Sequence, residues 1–111
     1  MPDAARGPDR LSITTHADHR LCTITVEGEI DISTVDELRR ACAAAIKGGC
    51  PELVIDLSGC SFIDSTGLGA LLRVHRDTQT RGRDLQIRGG DRPVVRMFAI
   101  SGMDQVLPYT L

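Results

Sequence analysis

Residues 52–74 read ELVIDLSGCSFIDSTGLGALLRV. The first seven form a nearly continuous apolar run bounded by Pro51 and Gly59, the pattern of a strand covered on both faces, as in a parallel sheet. From about Thr66 to Arg81 the period changes: Leu68, Leu71, Leu72 and position 75 recur at helical spacing, and Gly82 stops the helix. A strand that passes through a polar loop into a helix is half of a crossover unit. The flanking segments must then supply more strands of the same direction.

They do so on both sides. Upstream, LSITTH (11–16) and LCTITVEGEI (21–30) alternate apolar with polar residues across the short polar stretch ADHR, which predicts an antiparallel hairpin. Next, Val35, Leu38, Cys42, Ala45 and Ile46 repeat at helical spacing. Ser33 and Thr34 are candidate N-caps, with Asp36 and Glu37 placed for capping boxes, and Gly48-Gly49 ends the helix. Downstream, DLQIR (84–88) reads as a buried strand and Gly89-Gly90-Asp91 as a tight loop. RPVVRMFAIS (92–101) reads as a helix with Pro93 in its first turn and Gly102 as terminator, and QVLPY (105–109) as a last strand. The whole is an α/β domain: a mostly parallel sheet with an antiparallel N-terminal hairpin strand and helices packed on it.

At 111 residues the chain has room for one domain, expected over residues 11–111, with 1–10 a loose tail. Pro, Gly and charge stand there where a secretory signal needs an apolar stretch. No apolar run approaches the roughly 20 residues of a membrane span, so no membrane role is expected and the reading is cytoplasmic. Cys22, Cys42, Cys50 and Cys60 form no CxxC pair, and in that compartment they are expected reduced and packed. A formal charge of −2 with Phe62, Phe98 and Tyr109 as the only aromatics supplies neither electrostatic pull nor a stacking platform for nucleic acid.

In such a sheet the strand-to-helix loops emerge at one edge, where function tends to sit. The three loops are GEIDIST (28–34), GCSFIDSTG (59–67) and RGGD (88–91), so Glu29, Asp31, Asp64, Ser65 and Thr66 can share a neighbourhood. No catalytic constellation assembles from them. A P-loop lacks its lysine near Gly67, the dinucleotide pattern begun by Gly67 and Gly69 has Leu72 in place of its third glycine, and Ser65 sits in IxSxG rather than GxSxG. His75 is expected in the packed face, and His16 and His19 flank a turn without a third ligand, so no metal or cofactor is expected.

Ser65 reads instead as the N-cap of its helix, its hydroxyl accepting from Gly67 or Leu68. Gly67 and Gly69 each cost the helix roughly 1 kcal/mol relative to alanine. Close packing explains one of them; clearing space for another protein's backbone explains two. An exposed hydroxyl at a helix N-terminus, ringed by carboxylates, suits a phosphoacceptor. The helix amides tolerate the added charge, and a docked partner does not.

GEIDISTVDEL, VIDLSGCSFIDSTGLGALL and VVRMFAISGMDQVLP together resemble the STAS domains of bacterial anti-sigma factor antagonists, in order and spacing, over roughly residues 11–108. The resemblance implies Ser65 as the phosphorylation site, between Asp64 and Thr66, with Asp31 nearby in partner recognition or phosphorylation. The expected partner surface is Asp31, Ser33, Asp64, Ser65, Thr66, Gly67, Leu68 and Gly69. It implies a non-enzymatic protein that binds an anti-sigma factor with serine kinase activity and so releases a sigma factor, that loses this binding when phosphorylated, and that is reset by a PP2C-type phosphatase. The expected state is a monomer, with a dimer open. The alternative is a non-phosphorylated STAS scaffold or sensor-complex subunit. Family members usually close with a further C-terminal helix, and this sequence stops just past VLPYTL.

Overall fold

In the computed structural model, which describes residues 10–111, the hairpin forms as β1 (Leu11–Ala17) and β2 (Leu21–Ile30). Asp18 shapes its turn, its Oδ1 accepting from the Arg20 and Leu21 amides at 3.2 Å each. Then follow α1 (Val35–Lys47), β3 (Glu52–Ile63), α2 (Ser65–Thr80), β4 (Asp84–Arg88), α3 (Arg92–Ser101), the short α4 (Met103–Val106) and β5 (Tyr109–Thr110). The expected tail lies outside the described residues except for Arg10, whose carbonyl accepts from the Glu29 amide at 2.7 Å.

The strands lie in chain order, β1-β2-β3-β4-β5, the first pair antiparallel and the rest parallel. Right-handed crossovers that all advance in one direction deliver every helix to the same face. That face is the core. Ile24, Val26, Ile55, Leu57 and Ile87 point into it, and Leu38, Leu71 and Phe98 come down from α1, α2 and α3. The opposite face carries Thr23, Thr25, Asp56 and Arg88, with Val54 buried among them but outside the core cluster. The expected covering of β3 on both faces is therefore corrected to one, and Val54 is what made the run look continuous.

Two boundaries and one buried helix face differ from expectation. β3 does not end before Gly59 but runs on to Ile63, because β2 continues alongside it through two register shifts. Gly59 is a strand residue; a Cβ there would come within 2.7 Å of the Glu27 side chain. The buried face of α2 runs through Leu68, Leu71, Val74 and Thr78, with position 75 to one side. The expected strand QVLPY is a helical turn at its start, and only Tyr109 and Thr110 pair, Pro108 having no amide to donate. Tyr109 is nevertheless fixed: its ring stacks on Phe98 with centroids 3.8 Å apart, and its hydroxyl donates to the Gly89 carbonyl at 2.8 Å.

The cysteines also depart from expectation. Cys42 and Cys60 are free and buried, as read, but Cys22 and Cys50 are joined as a disulfide. Spacing gave no hint of this pairing, because β2 and the turn after α1 meet only through the crossover. No helix among the described residues is long and apolar enough to cross a membrane.

Candidate functional site

Ile30 and Ile63, the last residues of β2 and β3, are register partners, and the Asp64 amide donates to the Ile30 carbonyl at 3.2 Å. The loops that follow them, Asp31–Thr34 and Asp64, therefore leave the sheet side by side. The third loop sits lower. β4 stops opposite Asp56, and Asp91 is tied back to the Cys60 carbonyl at 3.0 Å, so the RGGD loop flanks β3 short of its end.

The Asp31 loop is closed by its own side chains. Asp31 Oδ1 accepts from the Ser33 amide at 2.9 Å and the Ser33 hydroxyl at 2.7 Å. Thr34 Oγ1 donates to the Glu29 carbonyl at 2.8 Å and accepts from the Asp31 amide at 3.0 Å. With both hydroxyls committed here, the expected capping boxes of α1 do not form, and Thr34 occupies the N-cap position without a side-chain cap bond. From the far side the Arg10 guanidinium donates to Ser33 Oγ at 2.7 Å and to Glu29 Oε1 at 3.3 Å, and closes on Asp31 Oδ2. Gly28 makes this approach possible: at φ +111° it has no side chain, and a Cβ would fall 2.0 Å from the Arg10 carbonyl oxygen. The Asp31 carboxyl is held below its ordinary pKa, first by the Ser33 hydroxyl, then by the Ser33 amide and the Arg10 charge, against the opposing effect of desolvation.

In the second loop the cap is Asp64, not Ser65. Its Oδ1 accepts from the Gly67 amide at 3.0 Å and the Thr66 hydroxyl at 2.5 Å. Ser65 moves one place into the helix, to its first residue, and is exposed. Its hydroxyl makes no hydrogen bond to another described residue, so the displaced role leaves it free rather than committed to capping. The amides of Ser65 and Thr66 lie in the first turn, where the helix itself offers no acceptor.

The two glycines separate. Gly67 is buried, and a Cβ on it would stand 2.6 Å from Ile63 Cγ1 and 2.7 Å from Ile30 Cγ2, so packing of helix on strands requires it. Gly69 is exposed, and a Cβ there would meet nothing within 4 Å. Leu68 points into the core beside Gly67. Of the expected partner surface, Ser33, Ser65 and Gly69 are exposed, Asp31, Asp64 and Thr66 are half-buried, and Gly67 and Leu68 face inward to support the rest.

Three residues escaped the sequence reading. Ile32 is 76% exposed at the tip of the first loop and Phe62 is 42% exposed at the end of β3; both bring apolar surface to the edge that presents Ser65. Arg10 is the third. Ile32 just after β2 and Phe62 near the end of β3 were legible as apolar residues that do not fit the inward alternation, whereas nothing local marked Arg10.

His75 stands ten residues beyond Ser65 on α2, about 15 Å along the axis. It is half-buried with its Nδ1 unpartnered, and so is no base for that hydroxyl. His16 and His19 belong to the hairpin's far end. Among the described residues no group of three or more His, Cys, Asp or Glu could hold a metal.

The family model described as "Mlab, STAS domain" matches residues 10–108. An anti-sigma-B factor antagonist of Staphylococcus aureus is 28% identical over 97 residues, covering 87% of this chain and 90% of that protein. The crystal structure of an anti-sigma factor antagonist from Mycobacterium paratuberculosis superposes with a TM-score of 0.82 at 26% identity, over 93% of this chain and 87% of the other. SpoIIAA of Bacillus in its phosphorylated form has the same fold, with a TM-score of 0.67 at 20% identity over 90% and 92% of the two chains.

Proposed function

The chain belongs to the STAS domain family, and from that premise we propose that it is a cytoplasmic anti-sigma factor antagonist working by partner switching. Unphosphorylated, it docks through the Asp31 and Asp64–Gly69 edge onto an anti-sigma factor that is also a serine kinase, and the sigma factor is released. The kinase, with its own ATP and Mg²⁺, phosphorylates Ser65 and the complex ends. A PP2C-type phosphatase restores the docking form. The protein is substrate and binding module, and supplies no catalytic group.

The observation that carries this reading is the state of Ser65: an exposed hydroxyl with no hydrogen bond to another described residue, at the first residue of a helix capped by a different side chain. Phosphate there adds about −1.5 to −2 charge. The open first-turn amides and the helix dipole favour that charge within the domain. Asp64 and Glu29 at the same edge make it costly against a closely docked, partly desolvated partner. A hundredfold loss of affinity needs only about 2.7 kcal/mol.

The test is incubation of the chain with candidate kinases and ATP, followed by intact and peptide mass spectrometry, and binding of Ser65 variants to the same kinases. One phosphate on Ser65, retained binding by Ser65→Ala and about hundredfold weaker binding by Ser65→Asp are expected. Equal affinity for wild type and both variants sinks the reading. The second reading, a non-phosphorylated scaffold, draws on the exposed apolar side chains of Ile100 and Val106, at 72% and 52% exposure. Gel filtration separates the two: a monomer supports the switch, and stable self-assembly supports the scaffold.

A further inference from the structure

Cys22, the second residue of β2, and Cys50, in the turn leaving α1, are joined with their Cα atoms 6.1 Å apart. That lies within the window of about 4.4–6.8 Å in which a disulfide closes without backbone movement. The ring so formed spans a sequence separation of 28 residues and contains the rest of β2, the Asp31–Thr34 loop and all of α1.

Backbone contacts hold the two cysteines together independently of the sulfurs. Cys50 N donates to the Ala45 carbonyl at 3.3 Å, Gly49 N to the Ile46 carbonyl at 3.0 Å, and Glu52 N to the Arg20 carbonyl at 3.1 Å. Register then sets Cys22 opposite Leu53. A reduced pair therefore keeps its place and stays ready to close.

Both cysteines are buried, at 8% and 7% exposure, but they border an opening to the surface. They line a surface cleft of about 350 Å³, with Asp18, His19, Gly48 and Gly49 among its walls. The glycines put no side chain over it, and at Gly49 even an added Cβ would meet nothing within 4 Å. Cys42 and Cys60, by contrast, are sealed in the core at 1% and 0% exposure.

We propose that Cys22 and Cys50 are a reversible thiol–disulfide exchange site, worked through this cleft by low-molecular-weight thiols and disulfides of the glutathione class, and that closure tightens the segment carrying Asp31 and α1. In closing, one cysteine thiolate attacks the small disulfide, whose S–S bond breaks and releases one thiol as a mixed disulfide forms on the protein. The second cysteine thiolate then attacks the protein sulfur of that mixed disulfide and releases the second thiol. The two electrons lost by the cysteine pair reduce one small disulfide to two thiols, and the two cysteine protons leave with them. Opening is the reverse. This chemistry does not rest on the antagonist reading.

The test equilibrates the full chain in glutathione buffers from fully reduced to fully oxidised, quenches with acid, alkylates, and locates the label by peptide mass spectrometry. Labels on Cys22 and Cys50 are expected to disappear together as the oxidised fraction rises and to return together on reduction without denaturant. The melting temperature is expected to fall by on the order of 10 °C in the reduced form, with faster hydrogen exchange across residues 31–49. In Cys50→Ser, oxidised glutathione is expected to leave one glutathionyl group on Cys22. A pair that stays labelled in the most oxidising buffer, or stays crosslinked in native protein under the most reducing one, overturns the proposal.

Discussion

The guanidinium of Arg10 closes on the carboxylate of Asp31, across twenty-one positions of sequence and over the bare backbone of Gly28. Arg10 also reaches Ser33 and Glu29, so one cation from ahead of the first strand gathers three side chains around the loop that leads into α1. Each contact is exposed and weak by itself. Together they fix the course of residues 31–34, and with it the direction in which Ile32 points.

Removing that cation should loosen the loop more than the fold. In Arg10→Ala the Asp31 and Ser33 amides are expected to exchange faster with solvent, with little change in melting temperature. Affinity for the anti-sigma partner should fall about fivefold to tenfold, because part of the binding energy then goes into ordering the loop. Arg10→Lys should recover less than half of the loss, having one donor group in place of a fork. Unchanged exchange at Ser33, read by NMR, would show that the hydroxyl network alone sets the loop.

The same network makes the loop sensitive to acid. Asp31 is depressed below its ordinary value by Ser33 and Arg10. For a carboxyl lowered on folding, the contribution to stability is fully present above the unfolded value near 3.9 and is lost as pH falls through the folded value. Carboxyl NMR titration should find Asp31 below 3.9, and Ser33→Ala should move it up, since the Ser33 hydroxyl is the largest cause. A Ser33→Ala titration that overlays the wild type would contradict the assignment.

Ile32 offers a contact that is not tied to charge. At 76% exposure it contributes almost nothing to the core, so Ile32→Ser should leave the melting temperature within about a degree. If the partner buries it, binding should weaken by about tenfold or more, the transfer of one such side chain being worth about 1.5–3 kcal/mol. Calorimetry with the cognate anti-sigma factor measures both the affinity and the smaller heat-capacity change that lost apolar burial requires.

Much of this architecture is legible in the residues because punctuation and periodicity agree. Pro93 and Gly102 bracket α3 as read, and Gly48-Gly49 ends α1. What escaped has a common cause, in that it depends on partners distant in sequence. Gly59 looks like a strand terminator until the Glu27 side chain is seen to need its missing Cβ. Arg10 looks like tail until Glu29 pairs with its carbonyl. Cys22 and Cys50 become neighbours only when the crossover brings the turn after α1 back to the start of β2. Ser65 shows the opposite case, a local choice between adjacent candidates. Asp64 takes the cap because its carboxylate reaches both the Gly67 amide and the Thr66 hydroxyl.

The glycine pair separates packing from docking most cleanly. Gly67→Ala forces a methyl group against Ile63 and Ile30 at 2.6 and 2.7 Å, and overpacking of this kind costs about 1–3 kcal/mol. Its melting temperature should drop by several degrees, and weaker partner binding would follow from the disturbed helix start. Gly69→Ala meets open space in a helical, exposed position, so it should stabilise the isolated domain by about 0.4–1 kcal/mol. If Gly69 is there to let a partner's backbone approach, that more stable variant should nevertheless bind the anti-sigma factor at least tenfold more weakly and be phosphorylated more slowly at Ser65. A stabilised Gly69→Ala that binds and is phosphorylated like the wild type would remove the docking reason for this glycine, and would leave the helix with an unexplained weak point beside its exposed serine.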